Sequence, residues 1–379
     1  MMSARVAQGS QDQRKLQALN IDGTSSGLPL SGARLRWTLW IHNRAVVRPA
    51  INLAAAVLAG ILVQIATERF FLPRNLLGLF VQMAVVAIIA CPMALVMITA
   101  CIDVSVGGVV VLSGVVGGLI SQAGAPLWLA FSLATLTGLA VGYINSLLVI
   151  RLEITSMIAT IGTMYVCQGM ANILTNGLPV AGVAKGYSSL GTGRFWGVPY
   201  QVPITLAAVV VFVLIQRYTV LGRHAVATGS NLEGAFLNGV NVNKTLTLCF
   251  LLSGLMAGFG GVLYSSRIGN PTPVMDQDLL FQVIVSCVVG GIALTGGEGT
   301  VFGAFTGAVL IVVLNNSLNL LGVSTFWQYV SLGLLLVVAV GLDKLRLGDR
   351  FKLRSSALRL RPDGQSGNGT SETVIESEK

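Results

Sequence analysis

The stretch that decides the fold is residues 76–98, LLGLFVQMAVVAIIACPMALVMI, which contains no charged side chain. Gln82 is its one amide, and apart from Pro92 the other residues are aliphatic, aromatic, sulfur-containing or small. A helix needs about 20 consecutive, mostly apolar residues to cross the hydrocarbon core of a bilayer. The stretch meets that requirement on its own, so it predicts a membrane-spanning helix.

The composition of the whole chain agrees with a membrane location. Of its 379 residues, 54% are hydrophobic and 10% are charged, whereas a soluble domain carries about 25% charged residues. The 45 glycines are typical of closely packed membrane helices. These values exclude a soluble globular enzyme, a disordered chain and a disulfide-stapled secreted module. The predicted fold class is an all-α integral membrane protein with several spans.

About ten segments satisfy the same length criterion. Their boundaries are softest around Pro92 and Asp103, where a proline and a Gly-rich segment are able to break a helix or let it re-enter the membrane. The predicted membrane domain covers residues 50–342, between a polar arm at 1–49 and a tail at 343–379 that are both predicted to be disordered. The segments are 50–67, 76–98, 104–121, 127–149, 157–175, 203–217, 245–266, 279–295, 300–320 and 327–342.

Lysine and arginine are distributed unevenly between the two sides of this arrangement. One side carries both termini, Arg151 and the loop 217–244, and it holds most of the 24 basic residues. Because loops rich in Lys and Arg tend to stay in the cytoplasm, we expect both termini to be cytoplasmic. This arrangement requires an even number of spans. The net charge of +9 therefore indicates orientation in the membrane and not nucleic-acid binding. The other side holds Arg69, Arg74, Lys185, Arg194 and Arg267.

The sequence shows no set of residues for covalent or redox chemistry. It lacks paired carboxylates at a fixed spacing and the G-x-S-x-G and H-E-x-x-H motifs. It contains no Gly-Lys dipeptide and therefore no P-loop for ATP. The five cysteines and two histidines lack metal-ligand spacing. We expect no catalytic residue, metal or cofactor in this chain, and any ATP that drives it must be bound by another chain.

Uncharged polar side chains occur within the predicted spans, whereas ionisable ones are almost absent from their centres. Ion-coupled carriers usually need buried carboxylates or broken-helix ion sites, so this scarcity argues against one. Individually, each amide is better explained as a hydrogen bond that joins two helices. As a group they predict a translocation path for a neutral polyol. The candidates are Gln82, Asn145, Gln168, Asn172, Asn315 and Asn316.

Two polar loops are long enough to meet other proteins. The loop 217–244 is too polar to cross the membrane, and its centre, 230–237, predicts a short helix capped by Ser230 or Asn231 with Glu233 in its first turn. On the other side, 176–202 carries Gly, Pro and aromatic residues. An external partner and a simple connection explain that loop equally well.

The loop 217–244 also contains an ordered set of short motifs. TVLGR at 219–223 is followed by GSNLEGA at 229–235 and by GVNV at 239–242. This order resembles the cytoplasmic loop of ribose-type ABC importer permeases, which usually reads T-x-x-G-R, G-G-N-x-x-A-A and G-I-x-V. The sequence departs from that pattern at Ser230, Gly234 and Phe236.

Three further motifs resemble the same family. DVSVG at 103–107 is similar to its D-L-S-V-G, and TIGTM at 160–164 is similar to its T-L-G-T-M. The stretch 290–299, GGIALTGGEG, is similar to its G-G-x-x-L-x-G-G-x-G. Each motif alone is weak, being mostly Gly and small residues, but the set follows the family order over roughly residues 75–342.

The resemblance implies the permease subunit of an importer in the bacterial inner membrane. Such a subunit pairs with a second permease, docks ATPase subunits on its cytoplasmic side and receives a monosaccharide or similar neutral polyol from a periplasmic binding protein. ATP and Mg²⁺ then belong to the partner ATPase, and alternating access moves the substrate. The alternative, a stand-alone secondary carrier or facilitator, is favoured by the number of spans and disfavoured by the lack of intramembrane charge.

The resemblance also assigns roles within the chain. The helix at 230–237 becomes the helix that couples the permease to the ATPase, with tight turns at Gly222 and Gly239 on either side. The segments 176–202 and 267–278 become candidates for meeting the binding protein. The coupling candidates are Gly222, Arg223, Gly229, Asn231, Glu233, Ala235 and Gly239. The Gly-rich hinge candidates are Asp103, Gly107, Gly162, Gly290, Gly291, Gly296 and Gly297.

Overall fold

The computed structural model describes residues 44–274 and 277–341. The all-helical architecture is confirmed, and a two-stranded hairpin is the single exception within these ranges. The tail predicted to be disordered at 343–379 lies outside the described residues. So does the arm 1–49 apart from its last residues, which belong to the first helix.

The first part of the chain forms α1 (Arg44–Thr67), α2 (Pro73–Ile98), α3 (Val106–Gln122), α4 (Leu127–Ile150) and α5 (Ser156–Thr175). The next part forms the short helix α6 (Ser189–Thr192), the antiparallel strands β1 (Arg194–Phe195) and β2 (Val198–Pro199), and α7 (Gln201–Tyr218). The last part forms α8 (Val220–Ser230), α9 (Leu232–Leu237), α10 (Val242–Ile268), α11 (Gln277–Val289), α12 (Val301–Leu320) and α13 (Thr325–Gly341).

Seven of the described helices are long and apolar enough to cross a membrane, namely α1, α2, α4, α5, α7, α10 and α12. Helices α3, α11 and α13 are apolar but shorter. Each predicted span coincides with one of these ten helices. The span predicted at 279–295 extends past the end of its helix, α11. Helix α11 ends at Val289 because a Gly-rich run follows, in which Gly291 has a φ of +94°.

The chain is interrupted between α2 and α3, but not at the proline that the sequence singled out. Pro92 is buried inside a continuous α2, surrounded by other helices, which is the setting in which membrane helices tolerate proline. Helix α2 ends at Ile98, Ala100 has a φ of +63°, and α3 begins at Val106. The interruption therefore occupies residues 99–105.

Helices α2 and α10 lie at the centre of the bundle. Every residue of α2 from Met83 to Ile98 is buried, and α10 packs against α4, α3 and α2. The contact between α4 and α10 is built from one G-x-x-x-G motif on each helix, at 138–142 on α4 and at 254–258 on α10. The two backbones approach each other there without a side chain between them.

The polar segment 217–244 contains two helices where the sequence predicts one. The predicted short helix is confirmed as α9, with Asn231 as its N-cap, whereas Ser230 ends the preceding helix α8. Gly222 lies inside α8 and not in a turn, because its backbone packs directly on Gln216. Gly239 does occupy a turn, with a φ of +78°.

Candidate functional site

A cavity of about 850 Å³ lies where two non-helical stretches, 99–105 and 290–300, approach α5, α11 and α13. The first stretch contributes Ile102 and Val104 to the wall, and the second contributes Leu294. The first stretch contains the predicted hinge residue Asp103, and the second contains the predicted hinge glycines Gly290, Gly291, Gly296 and Gly297. The remaining lining is mainly apolar: Met157, Ile161, Met164, Tyr165, Gln168, Asn172, Pro273, Val274, Leu280, Phe281, Ile284, Leu336 and Val340.

Gln168 and Asn172 are the amide side chains of this cavity. They stand four residues apart on α5, and this spacing puts both on one face of the helix. Asn172 Nδ2 donates to the Gln168 carbonyl oxygen across 2.8 Å, and Gln168 Nε2 donates to the Pro273 carbonyl oxygen. The Gln168 Oε1 atom is buried without a hydrogen-bond partner among the described residues. Gln168 therefore lines the cavity and carries an acceptor that forms no hydrogen bond with the described residues.

Two of the other predicted path residues have amides that join helices. Asn145 is fully buried, donates to Ser105 Oγ across 2.7 Å and accepts from Thr163 Oγ1 across 2.7 Å. Asn316 on α12 forms a reciprocal amide pair with Asn75 on α2, at 2.9 and 3.1 Å. Hydrogen bonds of this kind link helices within a bundle.

The last two predicted path residues lie apart from the cavity. Asn315 is buried on α12, and Gln82 is half-buried on α2. Neither belongs to the cavity lining, and the same holds for Asn145 and Asn316. The structure thus brings Gln168 and Asn172 together at the cavity and separates them from the other four.

Asp103 anchors the stretch 99–105. Its carboxyl group is fully buried and accepts hydrogen bonds from the Ser105 backbone N–H at 3.1 Å, the Ser105 hydroxyl, and Ser253 Oγ on α10 at 2.7 Å. One residue further on, the Val104 N–H donates to Thr160 Oγ1 on α5 across 3.1 Å. These bonds tie one wall of the cavity to two neighbouring helices.

The predicted hinge glycines have different surroundings. Gly107 is buried within α3, and a methyl group added to Gly162 on α5 would meet no atom within 4 Å. A methyl on Gly290 would lie 2.4 Å from the carbonyl oxygen of Gly303, so this glycine allows α12 to pack closely. The positions that need glycine for their backbone conformation, each with a positive φ, are Gly291, Gly296 and Gly297.

Helix α9 presents an apolar surface away from the bundle. The Asn231 side chain accepts a hydrogen bond from the Gly234 N–H across 2.9 Å, and Glu233 occupies the first turn, where a negative charge is favourable. Arg223 on α8 is exposed, whereas Ala235 is buried. The exposed apolar residues of α9 are Leu232, Phe236 and Leu237.

Three polar residues that hydrogen-bond to Asp103, to Asn145 or to the stretch 290–300 are absent from the predicted site residues. Ser253 donates to Asp103, Thr163 donates to Asn145, and Gln216 on α7 donates to the Gly299 carbonyl oxygen. The available signal was a polar residue within an apolar span. Serine and threonine also bond to carbonyls of their own helix, so this signal alone does not separate the two roles.

Comparisons with known proteins agree on one family. A family model described as branched-chain amino acid transport system / permease component matches residues 75–340. The L-arabinose ABC transporter permease protein AraH of Azospirillum brasilense is 34% identical, over 86% of the chain and 95% of that protein. No solved structure matches the chain.

Two further relatives are similar over most of their length. The ribose import permease protein RbsC of Bacillus subtilis (strain 168) is 35% identical, over 80% of the chain and 95% of that protein. The ribose import permease protein RbsC of Escherichia coli (strain K12) is 31% identical, over 83% of the chain and 97% of that protein.

Proposed function

The chain belongs to the family of branched-chain amino acid transport system permease components, and from this we propose that it carries a monosaccharide or similar neutral polyol inward. It is a multi-pass membrane permease of a bacterial ABC importer and not an enzyme. The observation that carries the proposed path is the cavity between the interrupted stretches 99–105 and 290–300, with Gln168 and Asn172 in its wall.

The proposed substrate class rests on the relatives and on the chemistry of the cavity. The relatives are named for ribose and L-arabinose, which are neutral polyols of similar size. Amides exchange hydrogen bonds with hydroxyl groups, and apolar walls hold the carbon face of a sugar weakly. A path that binds weakly releases its substrate readily, and we assign most of the selection to a periplasmic binding protein.

The proposed topology has ten crossings, in which α3, α11 and α13 join the seven longer helices. The short helices α3 and α11 adjoin the non-helical stretches 99–105 and 290–300, and backbone of that kind is tolerated at membrane depth where it lines a cavity or is buried in protein. Both termini and the segment 217–244 are then cytoplasmic, in agreement with the excess of Lys and Arg on that side.

The proposed partners follow from the surfaces on the two sides. Helix α9 with its exposed apolar residues, together with Arg223 on the preceding helix α8, docks an ATPase subunit that binds ATP and Mg²⁺. The segments 176–202 and 267–278 on the opposite side receive the binding protein, and a second permease subunit completes the membrane part. ATP binding and hydrolysis bias two packings of the permease, one open outward and one open inward.

The experiment that tests this function is purification of the tagged chain from its native membrane in a gentle detergent, with bound proteins identified by mass spectrometry. We expect an ATPase with a Walker A motif to be recovered with it. Cells that lack the chain should lose uptake of radiolabelled ribose or L-arabinose, and the chain should restore it. A chain that repeatedly purifies alone and folded would instead indicate a stand-alone carrier.

A double variant, Arg223→Ala with Glu233→Ala, separates the same two functions. An importer should lose transport and coupled ATP hydrolysis while the chain still folds, because both residues belong to the proposed docking region. A stand-alone carrier should retain its uptake. Unchanged uptake in the double variant would contradict docking through α8 and α9.

A further inference from the structure

The segment 217–244 contacts the stretch 290–300, which walls the cavity, and the last residue of α2, which precedes the stretch 99–105. A methyl group added to Gly229, near the end of α8, would lie 1.8 Å from the Ile98 carbonyl oxygen and 2.6 Å from the Gly297 nitrogen. The Gly297 N–H itself donates to the Ile98 carbonyl oxygen across 2.8 Å. Three backbones therefore meet with no side chain between them.

Gln216 makes a second connection to the same region. In the last turn of α7, its Nε2 donates to the Gly299 carbonyl oxygen across 3.0 Å, and its Oε1 accepts from the Val301 N–H across 2.7 Å. Both ends of one side-chain amide thus hold the end of the stretch 290–300. A methyl on Gly222 would lie 2.0 Å from the Gln216 carbonyl oxygen, so α8 begins directly against this residue.

These contacts lie close in sequence to the cavity wall. Leu294, which lines the cavity, is three residues before Gly297. The other wall contains Ile102 and Val104, which lie a few residues after Ile98. Between them, Asp103 anchors this wall to α10. A shift of α8 is therefore able to move 290–300 relative to an anchored wall. Contacts between backbones transmit such a shift because no flexible side chain absorbs it.

We infer that Gln216 and Gly229 are positioning residues that transmit a displacement of α8 and α9 to Leu294 in the cavity wall. The inference rests on the proposed function, since an ATPase docked on α9 supplies the displacement. Gln216 is the sharper test of the two, because removing its amide adds no atom to the packed backbones. Gly229→Ala instead forces three backbones apart.

The test follows the cavity wall with a reporter thiol. The parent chain carries Leu294→Cys together with Cys101→Ser, since the other four cysteines are buried. It is purified with its ATPase, placed in nanodiscs and treated with a water-soluble maleimide, with and without ATP and vanadate. The labelling rate of Leu294→Cys and the rate of ATP hydrolysis are both measured per assembled complex, so that a loss of folded protein alone changes neither value.

Gln216→Met keeps the side-chain volume and removes both hydrogen bonds. Because one hydrogen bond changes an equilibrium by about fivefold, we expect the nucleotide-dependent change in labelling rate to fall at least about fivefold while ATP hydrolysis continues. The matched control is Gln122→Met, which removes a different amide-to-backbone bond, of 2.9 Å to Ala181. The control should respond as the parent does, and Gly229→Ala should reproduce the loss.

The outcomes separate the inference from the function on which it rests. An undiminished response in Gln216→Met overturns the inference and leaves the proposed function standing. An equal loss in Gln122→Met also overturns it, since the effect would then not depend on the junction. A parent that recovers no ATPase overturns the proposed function itself, whereas a parent that binds its ATPase but shows no response to nucleotide overturns the inference, because Leu294 then does not move.

Discussion

Gly138 on α4 and Gly254 on α10 face each other so closely that a methyl group on Gly138 would lie 2.2 Å from the Gly254 carbonyl oxygen. A methyl on Gly254 would lie 2.3 Å from the Gly138 carbonyl oxygen. Between helices in lipid the hydrophobic effect supplies little attraction, so association depends on close packing of this kind. One added carbon at this contact therefore acts on the fold as a whole.

Gly254→Ala should lower the thermal stability of the detergent-solubilised chain, because overpacking costs about 1–3 kcal/mol. The control is Gly78→Ala on α2, where an added methyl meets no atom within 4 Å. Alanine is the better helix former by about 1 kcal/mol, so the control should be neutral or stabilising. The stability of both variants is measured as the fraction of chain that remains monodisperse after heating. Equal midpoint temperatures for the two variants would contradict the packing argument.

Asp103→Ala should be among the most destabilising single changes in the stretch 99–105. It leaves the hydroxyl groups of Ser105 and Ser253 without their acceptor, and each such buried loss costs about 1–3 kcal/mol. Asp103→Asn keeps one acceptor oxygen and should fall between the alanine variant and the parent. The measurement is the same heating assay. A variant ranking in which Asp103→Ala equals the parent would show that the carboxyl group does not anchor this wall.

Asn231→Ala should weaken binding of the ATPase to the chain. The cap of α9 is worth about 1 kcal/mol, and a frayed helix must be ordered again on docking, so affinity should fall about fivefold. Asn231→Asp keeps an accepting oxygen for the Gly234 N–H and should restore binding. Titration of purified ATPase against the chain in nanodiscs gives both affinities. Equal loss in the Ala and Asp variants would assign the effect to the amide and not to the cap.

Features that depend on local sequence were predictable. Runs of apolar residues located the ten apolar helices, and the Asn231 cap located α9. Helix α8 was missed because its sequence, VLGRHAVATGS, combines two glycines with β-branched and hydroxyl residues that disfavour an isolated helix. Packing of Gly222, Ala225 and Thr228 stabilises it instead. Packing of this kind is not visible in the sequence.

The candidate site was only partly predictable for the same reason. Gln168 and Asn172 stand four residues apart, so their common face follows from the period of the helix. Asn316 carries the same amide group, but its partner is Asn75 on a helix far away in the sequence. Hydropathy and residue type alone do not distinguish an amide in a cavity from an amide in a helix contact.

Leucine substitutions at Gln168 and Asn316 test this distinction directly. Gln168→Leu removes the amide of a cavity-lining residue, so uptake of radiolabelled ribose or L-arabinose should fall at least about fivefold. It also removes the Gln168 bond to the Pro273 carbonyl oxygen, which should lower stability by about 0.5–1.5 kcal/mol. Asn316→Leu leaves Asn75 half-buried without its partner, which should lower stability by about 1–3 kcal/mol and leave uptake per folded molecule unchanged.

The double variant Asn75→Leu with Asn316→Leu supplies the control, because replacing both partners by apolar groups is often nearly neutral. It should therefore recover part of the stability that Asn316→Leu loses. Uptake is normalised to the folded chain in the membrane, and stability is measured by heating in detergent. Reversed behaviour, with uptake lost in Asn316→Leu and retained in Gln168→Leu, would place the path along α12 and away from the cavity beside α5.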